Sequence, residues 1–136
     1  MVRKDVWQGL GGLDEGFKPV WFEDVDFCRR ALSGGFQIRY VPDVRAKHEG
    51  GHSVNRMPAR NKTRVWYASL LRYAAKHFSP TGYRVVCLAA AASTVPRMVA
   101  GMIQERSFTP VTTYLEILRS VGKRLLSSLA PVERLG

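Results

Sequence analysis

Cysteine is scarce in this chain. Cys28 and Cys87 are its only two, far apart, and no CxxC or Cys/His spacing surrounds them. That excludes a disulfide framework and a thiolate zinc site, and it fits a reducing compartment. Internal repeats and low-complexity tracts are also missing, which excludes a solenoid or a disordered tail. No apolar run follows Val2-Arg3-Lys4-Asp5, so the sequence reads without a secretory leader. Acidic residues nearly vanish after the first third. Residues 54–136 hold thirteen Lys and Arg against Glu105, Glu116 and Glu133 alone, whereas residues 1–53 balance eight against eight. The formal charge of +10 therefore belongs to the C-terminal part. It points to an anionic partner there: a membrane surface, a phosphorylated substrate or nucleic acid.

What is present is a length of 136 residues with 46% hydrophobic content, enough for a buried core. Residues 5–10 form a short element ended by Gly11-Gly12. Residues 22–33 read as a helix, with Val25, Cys28 and Leu32 on one apolar face, acids in the first turn and Gly34-Gly35 as the stop. Residues 36–40 and 44–48 alternate like strands, separated by Pro42-Asp43. From about Asn61 helical spacing takes over. Trp66, Leu70, Tyr73 and Ala74 recur until Ser79-Pro80, then an apolar run covers 83–103. Thr109-Pro110 is an N-cap with Pro at the first helical position. Val111, Tyr114, Leu115, Leu118, Val121, Leu125 and Leu129 follow as a stripe. The expectation is a mixed α/β unit over 1–55 and a basic helical region over 56–136.

The acids gather in one stretch, GGLDEGFKPVWFEDVDFCRRALSGG, which holds Asp14, Glu15, Glu23, Asp24 and Asp26. Carboxylates in a first helical turn stabilise it by about 0.3–1 kcal/mol each through the helix dipole. That accounts for Glu23 and Asp24 but not for the Gly-Gly-Leu-Asp-Glu element before them. Asp24-Val25-Asp26 also spells a metal-like pattern. Residues two apart on a helix point about 200° apart, so a shared cation is excluded unless the helix begins after them. A carboxylate fixed at a helix start suits general-base chemistry on a hydroxyl instead.

The stretch MVRKDVWQGLGGLDEGFKPVWFEDVDFCRRALSGGFQIRYVPDVRAKHEGG resembles the acceptor-side half of a family 2 glycosyltransferase of the bacterial rhamnosyltransferase-like group. Four motifs occur in order: Gly-Gly-Leu-Asp-Glu, Glu-Asp-Val-Asp-Phe-Cys-Arg-Arg, Gly-Phe-Gln-Ile-Arg-Tyr-Val-Pro, and His48 before Glu49-Gly50-Gly51. The likeness is firm over residues 1 to about 53 and weaker over RVWYASLLRYAAKHFSP. It implies a partial GT-A type α/β fold followed by C-terminal helices, and inverting transfer from a nucleotide-diphosphate sugar to a glycan or lipid-linked hydroxyl. Asp24 would be the catalytic base and Glu23 would help place the acceptor. Gly11 and Gly12 would let the backbone approach the donor sugar. His48 matches a position that helps hold a divalent metal, Mg2+ or Mn2+, on the donor diphosphate in the complete enzyme. Asp26 and Arg30 match recurrent positions, where a helix-internal salt bridge and a site role are both open. Asp14 and Glu15 are likewise open between substrate binding and turn chemistry. KPVW stands where the family is more aromatic.

A nucleotide-binding N-terminal half finds no counterpart, so the chain is expected to be a fragment that is inactive alone. The expected location is cytoplasmic, peripheral at the inner face of the cytoplasmic membrane, as for enzymes of cell-envelope polysaccharide biosynthesis. Residues 83–103 approach the length of a membrane span but contain Arg84, Pro96 and Arg97. A nucleic-acid-binding module is a rival on charge alone and lacks any recognisable motif. A non-catalytic membrane-associated or interaction protein is the other.

Overall fold

Among the described residues, five α-helices and one 3-10 turn follow one another in chain order. In the computed structural model, residues 1–47, 54 and 57–129 are described. The chain divides into two compact units, Met1–Pro58 and Ala59–Gly136.

The first unit contains α1 (Lys4–Gly9), a 3-10 turn (Glu15–Phe17) and α2 (Glu23–Ser33). Its small core is Val6, Phe17, Phe27 and Ala31. Trp7 packs on Phe27 with ring centroids 5.2 Å apart. Gly34 takes the C-cap of α2, where its N–H donates to the carbonyls of Arg30 and Ala31.

The expected α/β fold is not what forms. Helix accounts for 72% of the described residues, and among them there is no strand and no sheet, so the partial GT-A assignment is overturned. Residues 36–41 and 44–47 are irregular. Their alternation is the pattern of a strand, but a strand exists only when a neighbour takes its backbone hydrogen bonds. No neighbouring strand is present among the described residues, and Ile38, Val41 and Val44 are exposed, with Tyr40 at 91%. His48, at the end of the second expected strand, lies outside the described residues. The phase of α2 is a second correction. Val25, Cys28 and Leu32 face solvent, and the helix buries Asp26, Phe27 and Ala31 instead.

The second unit is three antiparallel-connected helices: α3 (Ala59–His77), α4 (Pro80–Glu105) and α5 (Thr109–Leu129). Ser79 caps α4, its hydroxyl accepting from the Gly82 N–H, and Pro80 sits in the first turn where no donor is lost. Tyr67, Leu71, Cys87, Ala90, Ile117 and Val121 form the core. Three hydroxyl groups in this unit are matched. The hydroxyls of Tyr67 and Ser93 are 2.8 Å apart, and Thr94 donates to the Ala91 carbonyl. The α4–α5 approach is close at Gly101, where an added Cβ would sit 3.0 Å from Pro110. Arg84 reaches across to the Ser128 carbonyl at 2.7 Å. Glu116 on α5 pairs with Arg60 and, at 3.4 Å, with Arg64, both on α3. Pro96 stays within α4 without ending it.

Among the described residues one helix, α4, is long and apolar enough to cross a membrane by length and composition, with a mean hydropathy of 1.6 over its most apolar 18 residues. The outcome for the basic region is thus a helix bundle, one of whose helices is as apolar as a span.

Candidate functional site

The acidic stretch builds a cleft from two turns and one helix start. After α1 the chain reverses through Gly11 and Gly12, which have φ of +71° and +70°. Only glycine adopts that conformation without penalty. At Gly12 space is also short, since a Cβ would come within 3.2 Å of the Trp7 indole. Asp14 then caps the 3-10 turn, its Oδ1 accepting from the Gly16 N–H at 2.8 Å. Glu15 pairs with Lys18 at 3.0 Å on the surface. Phe17 is buried beneath the turn.

Next comes an unusual approach to α2. Trp21 and Phe22 both have left-handed backbone, with φ of 76° and 71°. Aromatic residues adopt that region at a cost of about 1–3 kcal/mol each. Glu23 follows directly as the first residue of the helix. The resulting cleft is about 500 Å³ and is lined by Trp7, Gly11, Gly12, Asp14, Glu15, Phe17 and Glu23, among others. Five of the expected site residues therefore meet in one place: Gly11, Gly12, Asp14, Glu15 and Glu23. Glu23 Oε2 is shut off from solvent and accepts no hydrogen bond among the described residues. A buried carboxylate oxygen without a donor is costly, so a ligand hydroxyl offered to it would be welcome.

Asp24 is the next residue and stands apart from this lining. It is exposed on the first turn, and its Oδ1 accepts from the Val25 N–H at 2.8 Å. It therefore has acceptor capacity facing solvent at the helix start. Asp26 points elsewhere. It is 0% exposed and pairs with Arg30 at 2.8 Å. The helix beginning at Glu23 sends Asp24 and Asp26 in different directions, as the 200° argument requires.

Arg30 is the clamp of the unit. Its Nε donates to Asp26, Nη1 to the Leu10 carbonyl at 2.5 Å, and Nη2 to the Gly12 carbonyl at 2.7 Å. Its guanidinium also lies over the Phe27 ring, 5.4 Å from the centroid. One planar fork thus ties α2 to the turn that carries Gly11 and Gly12. The sequence left Asp26 and Arg30 open between a salt bridge and a site role. The structure shows the salt bridge, four residues apart along the helix, and neither residue is in the cleft lining. The hint was the spacing itself, which is that of a helical ion pair. Sequence reasoning missed Trp7 and Phe17 in the lining, and only the burial of Phe17 and the stacking of Trp7 on Phe27 reveal them.

Among the described residues no three His, Cys, Asp or Glu side chains converge to hold a metal ion. No family model, no curated protein and no solved structure matches the chain.

Proposed function

We propose that residues 11–35 form the acceptor side of an inverting glycosyltransferase that moves a sugar from a nucleotide-diphosphate donor to a hydroxyl of a glycan or lipid-linked acceptor. The single observation that carries this reading is the junction of the Gly-Gly-Leu-Asp-Glu turn with the start of α2. It sets an unpartnered Glu23 carboxylate oxygen in a cleft and an exposed Asp24 carboxylate beside it.

The chemistry follows from those two groups. Glu23 accepts a hydrogen bond from one acceptor hydroxyl and orients the sugar. Asp24 takes the proton of the neighbouring hydroxyl as its oxygen attacks the anomeric carbon. The strained backbone at Trp21 and Phe22 and the Arg30 clamp below hold the two carboxylates still. The donor diphosphate and its Mg2+ or Mn2+ ion belong to a nucleotide-binding half supplied in cis or in trans. His48 is the residue of this chain proposed to help hold that ion. The proposed location is the cytoplasmic side of a membrane, held peripherally.

A non-catalytic membrane-associated protein is the second reading, favoured by the uncharged outer face of α4 described below. A transfer assay separates the two. The chain is combined with the polypeptide encoded directly upstream, and labelled nucleotide sugars are offered with glycan and lipid-linked acceptors. Label in an acceptor that requires this chain supports the transferase. Transfer that proceeds equally without it overturns the reading.

A further inference from the structure

The outward face of α4 is apolar along nearly its whole length. Val85, Leu88, Ala92, Val95, Val99 and Ile103 recur at steps of three and four residues, and all six are exposed. Ile103 is 74% exposed. The stripe runs for about 27 Å at 1.5 Å per residue. The one charged residue between its ends, Arg97, turns toward α3, its guanidinium 5.9 Å from the centre of the Trp66 ring. The opposite side of α4 buries Cys87, Ala90 and Thr94 against the bundle. A face of this length with no charge is not a solvent face.

The other two helices differ. Exposed positions of α3 include Arg64, Arg72 and Lys76, and those of α5 include Arg119 and Lys123. Arg106 stands at the C-cap of α4, and Arg84 lies at the edge of the stripe near its other end. The unit therefore has one apolar face with cations at its ends and flanks.

We infer that this face of α4 seats in the interfacial region of an anionic bilayer, with the helix lying in the membrane plane. Charge decides the occupant. Residues 59–136 carry twelve Lys and Arg against three Glu. A second copy docking on the same face would bring two such cationic units together, whereas anionic headgroups neutralise them. Charge also decides the depth. Upright insertion of α4 would draw the outer faces of α3 and α5 into hydrocarbon, where each Arg or Lys costs about 2.5–3.5 kcal/mol on insertion scales. Lying flat buries the stripe and leaves the cations at the headgroups. This inference shares with the proposed function only the membrane location and is independent of the transfer chemistry. Loss of transfer in an Asp24 variant leaves it intact, and failed vesicle binding leaves Asp24 to its own assay.

The test uses the full chain with Cys28→Ser, which removes the exposed thiol while Cys87 stays buried. An environment-sensitive fluorophore is placed at Val95→Cys or, on the outer face of α3, at Ala68→Cys. Vesicles of equal parts phosphatidylglycerol and phosphatidylcholine are added. The expected result is a blue shift at position 95, none at 68, and reversal as salt rises. In the unlabelled chain Val95→Asp and Val99→Asp, at exposed positions, should each weaken vesicle binding about tenfold. Equal shifts at both positions overturn the inference. So does a shift at 95 that grows with protein concentration without vesicles, which would mark a second copy. Unchanged binding by both aspartate variants overturns it as well.

Discussion

Arg30→Ala should unfold the first unit while leaving the helix bundle intact. The side chain removed satisfies three acceptors at once: buried Asp26, the Leu10 carbonyl and the Gly12 carbonyl. Asp26 is 0% exposed, and removing the cation of a buried ion pair costs about 3–5 kcal/mol. Each carbonyl left without a donor adds about 1 kcal/mol in a half-buried setting. The total, about 5–7 kcal/mol, matches the lower part of the stability of whole domains. Among the described residues, the first unit has four buried apolar side chains to set against it. Arg30→Lys should fail almost as badly, because one ammonium cannot span the fork. Amide hydrogen exchange read separately over residues 4–33 and 59–129 is the assay. The expected pattern is loss of protection in the first range alone. Asp26→Ala with Arg30→Ala should lose less than the sum of the single losses, since each single change already breaks the same ion pair. If Arg30→Ala keeps the protection of residues 4–33, or the two losses simply add, the clamp is not what joins α2 to the glycine turn.

Other perturbations have equally specific outcomes. Gly11→Ala and Gly12→Ala both force a left-handed alanine, costing about 1–2 kcal/mol. Gly12→Ala should cost more, because its Cβ meets the Trp7 ring while that of Gly11 meets nothing within 4 Å, and urea midpoints will rank them. Burial raises the Tyr83 phenol above the ordinary 10.0, assisted by Cys87 and opposed by Arg124, and burial likewise raises Tyr114. A raised folded pKa means that unfolded tyrosines lose protons first. Stability from these two groups is therefore full below about pH 10 and is lost as pH climbs through their folded values. Tyrosinate absorbance and thermal melts between neutral and strongly alkaline pH should show that fall, and Tyr83→Phe with Tyr114→Phe should flatten it.

Helix ends were legible because their signals are local. Gly34-Gly35, Ser79-Pro80 and Thr109-Pro110 each act through the backbone within a few residues, and helices start or stop there. Strands were not legible, because residues 36–40 alternate as a strand would, yet a ladder depends on a partner that no local pattern supplies. The face of α2 was misread for a different reason. Hydrophobicity favoured Val25, Cys28 and Leu32, but the Arg30 fork pulls Asp26 inward and turns those three outward. A buried ion pair outweighs apolar counting only when the geometry of its partners is known. In the cleft, the glycine turn and Glu23 come from two separate motifs of the sequence, and the fold brings them to one lining. The separation of exposed Asp24 from buried Asp26 followed from helical angle alone. The aromatic lining from Trp7 and Phe17 depends on tertiary packing and left no signal in spacing.

The most direct measurement concerns Asp24. With a donor-binding half supplied, Asp24→Asn should lower turnover by about 10²-fold or more while nucleotide-sugar affinity stays the same, because the amide cannot take a proton. Glu23→Gln should act mainly on acceptor KM and less on kcat, as a positioning group does. Turnover unchanged by Asp24→Asn, with a folded first unit confirmed by hydrogen exchange, would contradict the general-base assignment.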